Sequence, residues 1–287
     1  MKRFLVAILF ALSLGAADRQ ILLIAGLPSH PPLQHEHNAG VLLLTKWLNT
    51  VPGIKATAQL NGWPKDSSKL ESADSIFIFC DGGQKHLATQ GDHAAELDKA
   101  ARRGAGFVFH HYAVEPPTDR GMPQFLNWIG GAFEQHYSVN PHWDAEFSRL
   151  PKHPITSGVK PFTLRDEWYY NIRFREGMQG ITPILTAIPP ASTLSRPDGP
   201  HSGNPKVRTM AGQPQHVMWT VEREDGGRGV GFTGGHFHLN LGDEHFRKLL
   251  LNALVWSAKG KVPKNGVTVN VTKDELMQNL DPKPAQN

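Results

Sequence analysis

The chain has 287 residues, an ordinary hydrophobic content of 39% and a formal net charge of +4. This length is enough for one large α/β domain or two small ones, and the composition excludes a disordered or membrane-embedded chain. The mild charge, without a run of lysine or arginine, argues against a nucleic-acid partner. The 15 histidines and 7 tryptophans are the unusual feature, although a histidine count identifies no ligand by itself.

The first residues have the pattern of a secretory signal peptide. Lys2 and Arg3 give a charged start, and residues 4–14 form an apolar run that is too short to span a bilayer. Small residues follow, so we expect residues 1–17 to be removed and the mature protein to be periplasmic or secreted. We expect no membrane anchor after cleavage. The alternative interpretation of the apolar run is a buried N-terminal helix.

The single cysteine, Cys80, excludes an intramolecular disulfide. It ends an apolar run at 75–79 that predicts a central strand. A buried, inert thiol is the ordinary role of such a residue. A catalytic thiol is the alternative interpretation.

Strand and helix patterns alternate through the first half of the chain. Continuous apolar runs predict buried strands, and apolar residues at helical spacing predict helices between them. This alternation is typical of an α/β fold with a doubly wound, mostly parallel sheet. The predicted strands are 20–25, 54–60, 74–80 and 107–109, and the predicted helices are 39–49, capped by Asn38, and 88–103.

The middle of the chain has a different pattern. After a short predicted helix at 122–129, aromatic and polar residues alternate at 136–147 and 162–174. We expect these two segments to form an added antiparallel β region attached to the main sheet. Residues 188–212 are rich in proline, glycine and serine, which predicts a long loop, exposed or lid-like.

A glycine-rich turn with two histidines separates the last predicted strand from the last helix. Gly234 and Gly235 allow a tight turn, because glycine has no Cβ to clash. His236 and His238 are two residues apart, so they would point to the same side of an extended segment. Open α/β sheets often present a ligand site in this way, with a polar turn between a strand and the helix that follows it.

Around this turn we predict two strands, a capped helix and a tail. The strands are 216–221 and 230–233, the helix begins near Asp243, and the tail is 263–287, with one possible strand at 267–271 and a frayed end from Asp281.

Two more clusters of polar residues fall at predicted strand ends. His110 and His111 follow a central strand, where α/β enzymes place catalytic groups, although one of the pair is expected to be a core residue. Asp166 and Glu167 are adjacent, so in a strand only one can face a given pocket, and Glu167 shares its side with Tyr169. A surface acid is the alternative for Glu167.

The aromatic loop around His136 is a weaker signal, because a histidine there more often packs than binds. Trp143 and Trp168 are candidates for stacking on sugar rings, although core packing is their usual role. With Asn240, which follows the glycine-rich turn, they form the predicted substrate-binding set.

Imidazoles and a carboxylate that converge above the sheet would suit proton transfer beside a carbonyl. They would equally suit a divalent transition metal such as zinc, nickel or iron. The sequence has no HExxH motif, no CxxC pair and no phosphate-binding loop. Gly229, Gly231 and Gly234 match GxGxxG by spacing, but they fall within the last predicted strand and its turn, so we expect no nucleotide cofactor.

Several ordered motifs together resemble the ThuA-like (trehalose utilisation) family, in particular its exported branch in environmental bacteria. The resemblance covers roughly residues 19–262, so the expected domain is 18–262. The motifs are His111-Tyr-Ala-Val-Glu, Trp128-Ile-Gly-Gly-x-Phe-Glu-x-His136, Ser138-Val-Asn-Pro-His-Trp, His153-Pro-Ile-Thr, Asp166-Glu-Trp-Tyr-Tyr and Gly234-Gly-His-Phe-His.

The resemblance implies a flavodoxin-like fold related to class I glutamine amidotransferases, without the amidotransferase triad. It also implies a link to disaccharide use through 3-keto sugars. Carried over by motif, the implied catalytic residues are Glu167, His111, His236, Glu115 and Tyr169, and the implied metal ligands are His136, His236 and His238.

We therefore expect an exported enzyme that acts on a sugar or keto sugar, with a small-molecule carbohydrate as its partner. Glu167 or a histidine would move a proton beside the carbonyl, and other imidazoles would polarise the oxygen, directly or through a metal. A non-catalytic carbohydrate-binding protein is the alternative. An amidotransferase or cysteine hydrolase would require a reactive Cys80.

Overall fold

The computed structural model describes residues 17–283 of the chain. Apart from Ala17, the predicted signal peptide, residues 1–17, lies outside the described residues. Across residues 17–283, none of the helices has the length and apolar character that crossing a bilayer requires.

The structure contains eleven strands, eight α-helices and several short 3₁₀ turns in these residues. The strands are β1 (Arg19–Ala25), β2 (Ile54–Gln59), β3 (Ser75–Phe79), β4 (Gly106–His110), β5 (Gly131–Ala132), β6 (His142–Phe147), β7 (Phe162–Glu167), β8 (Arg173–Phe174), β9 (Ile181–Ala187), β10 (Gln215–Glu222) and β11 (Arg228–Phe232). The helices are α1 (His37–Leu48), α2 (Ser68–Ser72), α3 (His93–Arg102), α4 (Met122–Trp128), α5 (Ala191–Leu194), α6 (Pro205–Arg208), α7 (Glu244–Ser257) and α8 (Lys273–Leu276).

Seven strands form the central sheet in the order β2-β1-β3-β4-β11-β10-β9. The first five are mutually parallel, and β10 and β9 extend the sheet in antiparallel fashion. Five parallel strands in the order 2-1-3-4-5 are the flavodoxin-like arrangement. The predicted α/β fold, with a doubly wound, mostly parallel sheet, is confirmed.

The two faces of the sheet have separate hydrophobic cores. Along β1, Leu23 packs into one core and Leu22 into the other, because successive side chains of a strand point to opposite faces. Helices α1 and α7 cover the first face, and α2, α3 and α4 cover the second. Burial on both faces explains why these strands read as continuous apolar runs.

The antiparallel addition lies beside the main sheet. β6 pairs with β7, and β5 pairs with β8, each as a two-stranded sheet of its own. The predicted added antiparallel β region is therefore confirmed, and it joins the main sheet by packing and not by strand pairing. Their backbone groups bond to one another, and Trp143 and Phe147 of β6 join them to the first core.

Three local predictions were wrong. Asn38 is not a cap, because α1 begins at His37 and the Asn38 side chain bonds to Asn61. Residues 267–271 form no strand, and the backbone N–H of Val267 donates instead to the side chain of Asn252. The loop at 188–212 contains α5 and α6, which bury Leu194 and Val207 in the core.

The C-terminal segment is packed rather than frayed as far as Lys283. Asp281 is buried, and its backbone N–H donates to Glu36. The ammonium group of Lys283 lies 3.3 Å from the buried Glu36 carboxylate and donates to the carbonyls of Ser29, Gln34 and His35. The segment therefore holds the loop that follows β1.

We predict that Lys283→Ala destabilises the protein by about 1–3 kcal/mol, because it leaves buried polar groups of Glu36 and the loop without their cation. Urea unfolding measures the change. Lys264→Ala is the matched control, since Lys264 is exposed on the same segment. Equal unfolding midpoints for the two variants would show that Lys283 does not contribute to stability.

Candidate functional site

The candidate site lies at the carboxyl edge of the parallel strands. The loops after β1, β3, β4 and β11 meet there, as they do at the ligand sites of open α/β sheets. The end of β7 reaches the same edge and adds Glu167 and Tyr169. Residues far apart in sequence are thereby brought together.

His111 faces the site, and His110 does not. His110 is the last residue of β4 and packs against the rings of Phe79 and Phe232, where burial lowers its pKa. His111 has a left-handed backbone with φ of 55°, a strained conformation that recurs at functional sites. Its Nδ1 donates to the Thr233 carbonyl at 2.7 Å, so its Nε2 carries a free lone pair.

The buried carboxylate of Asp166 sets the position of His236. It accepts the backbone N–H groups of Gly235 at 2.8 Å and His236 at 3.0 Å. Asn240 donates to the same carboxylate at 2.9 Å. Asn240 therefore positions this turn and does not line the pocket, which corrects its predicted role in substrate binding.

Three imidazoles and one carboxylate form a tight cluster, which we call the four-ligand cluster: His35, His111, Glu167 and His236. His35 Nε2 lies 3.0 Å from both His111 Nε2 and His236 Nδ1. Glu167 Oε2 lies 3.4 Å from His111 Nε2 and 3.2 Å from His236 Nδ1.

These separations fit a shell of ligands around one cation. Metal–nitrogen bonds of about 2.1 Å place neighbouring ligand atoms roughly 3.0–3.4 Å apart. His111 has the hydrogen-bonding pattern of a metal ligand, because its second ring nitrogen donates to a backbone carbonyl. The donor set suits zinc, nickel or iron better than magnesium or calcium, which prefer oxygen.

Electrostatics favours the metal-binding forms of two members of the cluster, Glu167 and His35. Burial alone would raise the pKa of Glu167, but the hydrogen bonds and charges of His111 and His236 outweigh it and hold that pKa well below its usual range. Burial, together with the neighbouring His111, lowers the pKa of His35. A carboxylate and a neutral imidazole are the forms that bind cations.

The cluster forms the floor of an open cavity of about 250 Å³. His142 lies directly across from Glu167 in the β6–β7 pair, 3.7 Å from its Oε1. Tyr169 Oη lies 3.3 Å from both His111 Nε2 and Glu167 Oε2. The residues lining the cavity are His30, Gln34, His35, Tyr112, Asn140, His142, Glu167, Tyr169, His201 and His236.

The long loop between β9 and β10 sends one histidine into this cavity. His201 Nε2 donates to both oxygens of the fully buried Glu115, at 2.9 and 3.0 Å. This hydrogen bond raises the pKa of His201. Glu115 therefore meets the site through His201.

Two sets of predicted residues lie elsewhere. Trp143 and Trp168 are buried in the core, where their indole N–H groups bond to backbone carbonyls, so neither offers a ring face to a sugar. His136 is exposed, and His238 donates from Nε2 to the Leu276 carbonyl. The structure does not bring His136, His236 and His238 together as the predicted metal set, because a 3₁₀ turn begins at His238 and breaks the extended geometry.

Sequence reasoning missed His35 and His201, and also Asp81, whose Oδ1 lies 3.5 Å from His35 Nδ1. A signal existed for His35, because the loop between β1 and α1 contains two histidines and leaves the same sheet edge as His111. Asp81 directly follows β3 and carried the same positional signal. His201 lies in a proline- and glycine-rich loop, and no local pattern distinguishes it.

The sequence profile of the ThuA family, described as trehalose utilisation, matches residues 30–257. The chain belongs to the ThuA family. This membership links the protein to carbohydrate metabolism. No functionally curated protein matches the sequence.

Solved structures of other ThuA-like proteins share the fold of this ThuA-family protein. One from Bacteroides uniformis ATCC 8492 has 16% identity and a TM-score of 0.58, covering 86% of this chain and 95% of its own. One from Parabacteroides merdae ATCC 43184 has 16% identity and a TM-score of 0.57, covering 90% and 94%. Identity this low shows a shared fold alone.

We predict that Gly235→Ala displaces His236 and destabilises this ThuA-family protein by about 1–3 kcal/mol through backbone strain. Gly235 has φ of 124°, and an added Cβ would lie 2.3 Å from Nε2 of His110. Gly212→Ala is the matched control, with φ of 72° and open space around it. Urea unfolding should show the larger loss at Gly235, and a loss no larger than at Gly212 would contradict the packing argument.

Proposed function

We propose that this ThuA-family protein is a metal-dependent enzyme that moves a proton beside the carbonyl of a keto sugar, such as a 3-keto glycoside. The observation that carries the proposal is the four-ligand cluster at the floor of an open, polar cavity. Its place in a carbohydrate-related family supports a sugar as the substrate. The signal-peptide pattern of residues 1–17 supports action in the periplasm or outside the cell.

The four-ligand cluster would hold the cation, with Glu167 as its anionic ligand. A bound divalent cation supplies a Lewis acid for the carbonyl oxygen of the substrate. Glu167 is a weak base because its pKa is held so low. We therefore assign Glu167 to cation binding and place the proton transfer on other side chains.

His142 and His201 flank the cavity and suit the two directions of proton transfer. Burial lowers the pKa of His142, although Glu167 opposes the effect, so its imidazole is neutral and can accept a proton. Glu115 raises the pKa of His201, so its imidazole can donate one. Two titratable groups whose environments push their pKa values apart are the usual basis for assigning base and acid.

Tyrosine hydroxyls add neutral donors at the same edge. Burial raises the pKa of Tyr112 and of Tyr169, so both stay protonated over the physiological range. Their O–H groups can donate to sugar hydroxyl or carbonyl oxygens. The cavity volume of about 250 Å³ is below the range of about 300–1,000 Å³ typical of drug-sized ligands, which favours a single sugar ring at the cluster.

The alternatives raised by the sequence receive less support from the geometry. A carbohydrate-binding module would use exposed aromatic faces, but Trp143 and Trp168 are buried. A cysteine nucleophile would require a reactive thiol, but Cys80 is buried and its pKa is raised to about 12. Alkylation of the folded protein should leave Cys80 unmodified.

We predict that Glu167→Gln lowers both metal content and turnover of 3-keto disaccharides, because the amide removes the anionic ligand.

His142→Ala should lower turnover by about 10²–10⁴-fold, the usual contribution of a general base, while the metal is retained. Elemental analysis and an assay on 3-keto disaccharides measure both effects.

His93→Ala is the control for these variants, because His93 stacks on Trp63 away from the cavity. Full activity of a metal-free preparation would refute metal dependence. Turnover of His142→Ala at the level of the unmodified protein would remove His142 from proton transfer without affecting the metal assignment.

The pair of His201 and Glu115 predicts a pH dependence of stability. The pKa of His201 is raised in the folded state, so the pair stabilises fully below about pH 6.5, the ordinary histidine pKa, and this contribution is lost as pH rises through the raised value. The stability gap between the unmodified protein and His201→Gln should therefore shrink as pH rises. Urea unfolding between about pH 6 and about pH 9 tests this, and a gap that widens with pH would contradict it.

A further inference from the structure

A second group of metal-binding side chains lies on the far side of His35. It contains His30, His35 and Asp81, whose donor atoms all lie within 4.8 Å of one another. His37 lies at the edge of this group, its Nε2 3.9 Å from Asp81 Oδ1. These residues come from the loop after β1, the start of α1 and the turn after β3.

The distances from the two imidazole nitrogens to Asp81 are too long for hydrogen bonds. His30 Nδ1 and His35 Nδ1 each lie 3.5 Å from Asp81 Oδ1. Hydrogen bonds from ring nitrogen to carboxylate measure about 2.7–3.2 Å. Neighbouring ligands of one tetrahedral cation lie roughly 3.4 Å apart, which matches the observed spacing far better.

The tautomer of His37 leaves a buried lone pair at the edge of this group. Its Nδ1 lies 2.9 Å from the Leu27 carbonyl, which can only accept, so Nδ1 carries the proton. Its Nε2 is then a lone pair aimed at a carboxylate oxygen. His37 is 0% exposed, and among residues 17–283 its Nε2 has no hydrogen-bond partner.

His35 supplies a nitrogen to each group. Its Nε2 belongs to the four-ligand cluster, and its Nδ1 has no hydrogen-bond partner in the part of the chain that the structure describes. His35 is 1% exposed, so water cannot satisfy that nitrogen freely. An imidazole that has lost its ring proton can bind one cation through each nitrogen.

We propose that Asp81, His35 and His30 hold a second divalent transition-metal ion, and that the two ions share the imidazole of His35. The proposal rests on the proposed function in one respect, since it takes His35 as a ligand of the first ion. Two imidazoles and one carboxylate suit zinc, copper or nickel.

Two details of the surroundings agree with this second site. The Ser29 hydroxyl donates to Asp81 Oδ1 at 2.7 Å, so at its 2.9 Å contact with His30 Nδ1 the hydroxyl oxygen accepts, and His30 gives up this hydrogen bond when its Nδ1 binds the ion. A carboxylate oxygen has two lone pairs, so Asp81 can accept from Ser29 and still bind a cation. The His30 side chain is 33% exposed, which gives the ion an entry path and makes it the more exchangeable of the two.

The test counts metal ions in the full mature chain. The purified protein is stripped with a chelator, reloaded with Zn²⁺, freed of excess metal and analysed for zinc per chain. We expect two zinc ions in the unmodified protein, one in Asp81→Asn and one in His111→Ala. Asp119→Asn, which changes an exposed carboxylate, should retain two.

A second measurement addresses the shared imidazole. Loading with Cu²⁺ to two equivalents should lower the electron paramagnetic resonance signal per copper relative to one equivalent, because the bridge couples the two spins. Circular dichroism checks that each variant folds. If Asp81→Asn fails to fold, His30→Ala serves instead, since its partly exposed side chain can be removed with less disturbance, and it should lose the second zinc faster to chelator.

The outcomes separate this inference from the proposed function. One zinc in the unmodified protein, lost in His111→Ala and kept in Asp81→Asn, overturns the second site and leaves the first standing. Two ions that Asp81→Asn and His30→Ala leave unchanged also overturn it. No bound zinc overturns both proposals.

Discussion

Parallel pairing of β1, β3, β4 and β11 is the constraint on which the site depends. Parallel strands end at the same edge of a sheet, so four separate loops must leave from one place. His35, Asp81, His111 and His236 each come from one of these loops. The α/β core thus performs a positioning task that no local segment could perform alone.

The buried Asp166 carboxylate completes this positioning from outside the parallel sheet. It accepts two successive backbone N–H groups of the turn after β11 and a side-chain N–H from Asn240. Hydrogen bonds to a charged acceptor are stronger than neutral ones, so the turn is held firmly. The adjacent Glu167 points the other way into the cluster, which is how one strand end serves both structure and chemistry.

Crowding of neutral imidazoles is the dominant electrostatic feature of this edge. Burial lowers the pKa of His35, His37 and His110, so these side chains stay uncharged. His110 uses its ring to pack among phenylalanines, whereas His35 and His37 direct lone pairs at carboxylates and other imidazoles. Lone pairs that face one another repel, and a cation between them converts the repulsion into binding.

The sequence by itself determined the main strands and helices and the edge of the sheet at which the site lies. Apolar runs and helical spacing predicted the parallel strands and the main helices, because burial on two faces leaves a pattern in neighbouring residues. Motifs at strand ends pointed to His111, Glu167, Tyr169 and His236, which the structure places together.

Tertiary structure alone decided which other side chains reach the site. His35 and His201 arrive from loops whose paths depend on contacts with distant segments, such as Lys283 on the loop after β1 and Glu115 beneath His201. Long-range contacts also keep three predicted site residues away from the site. Trp143, Trp168 and His238 instead bond to partners in the core or the C-terminal segment. Local patterns record which face of an element is buried, whereas convergence is set by long-range packing that no short stretch of sequence contains.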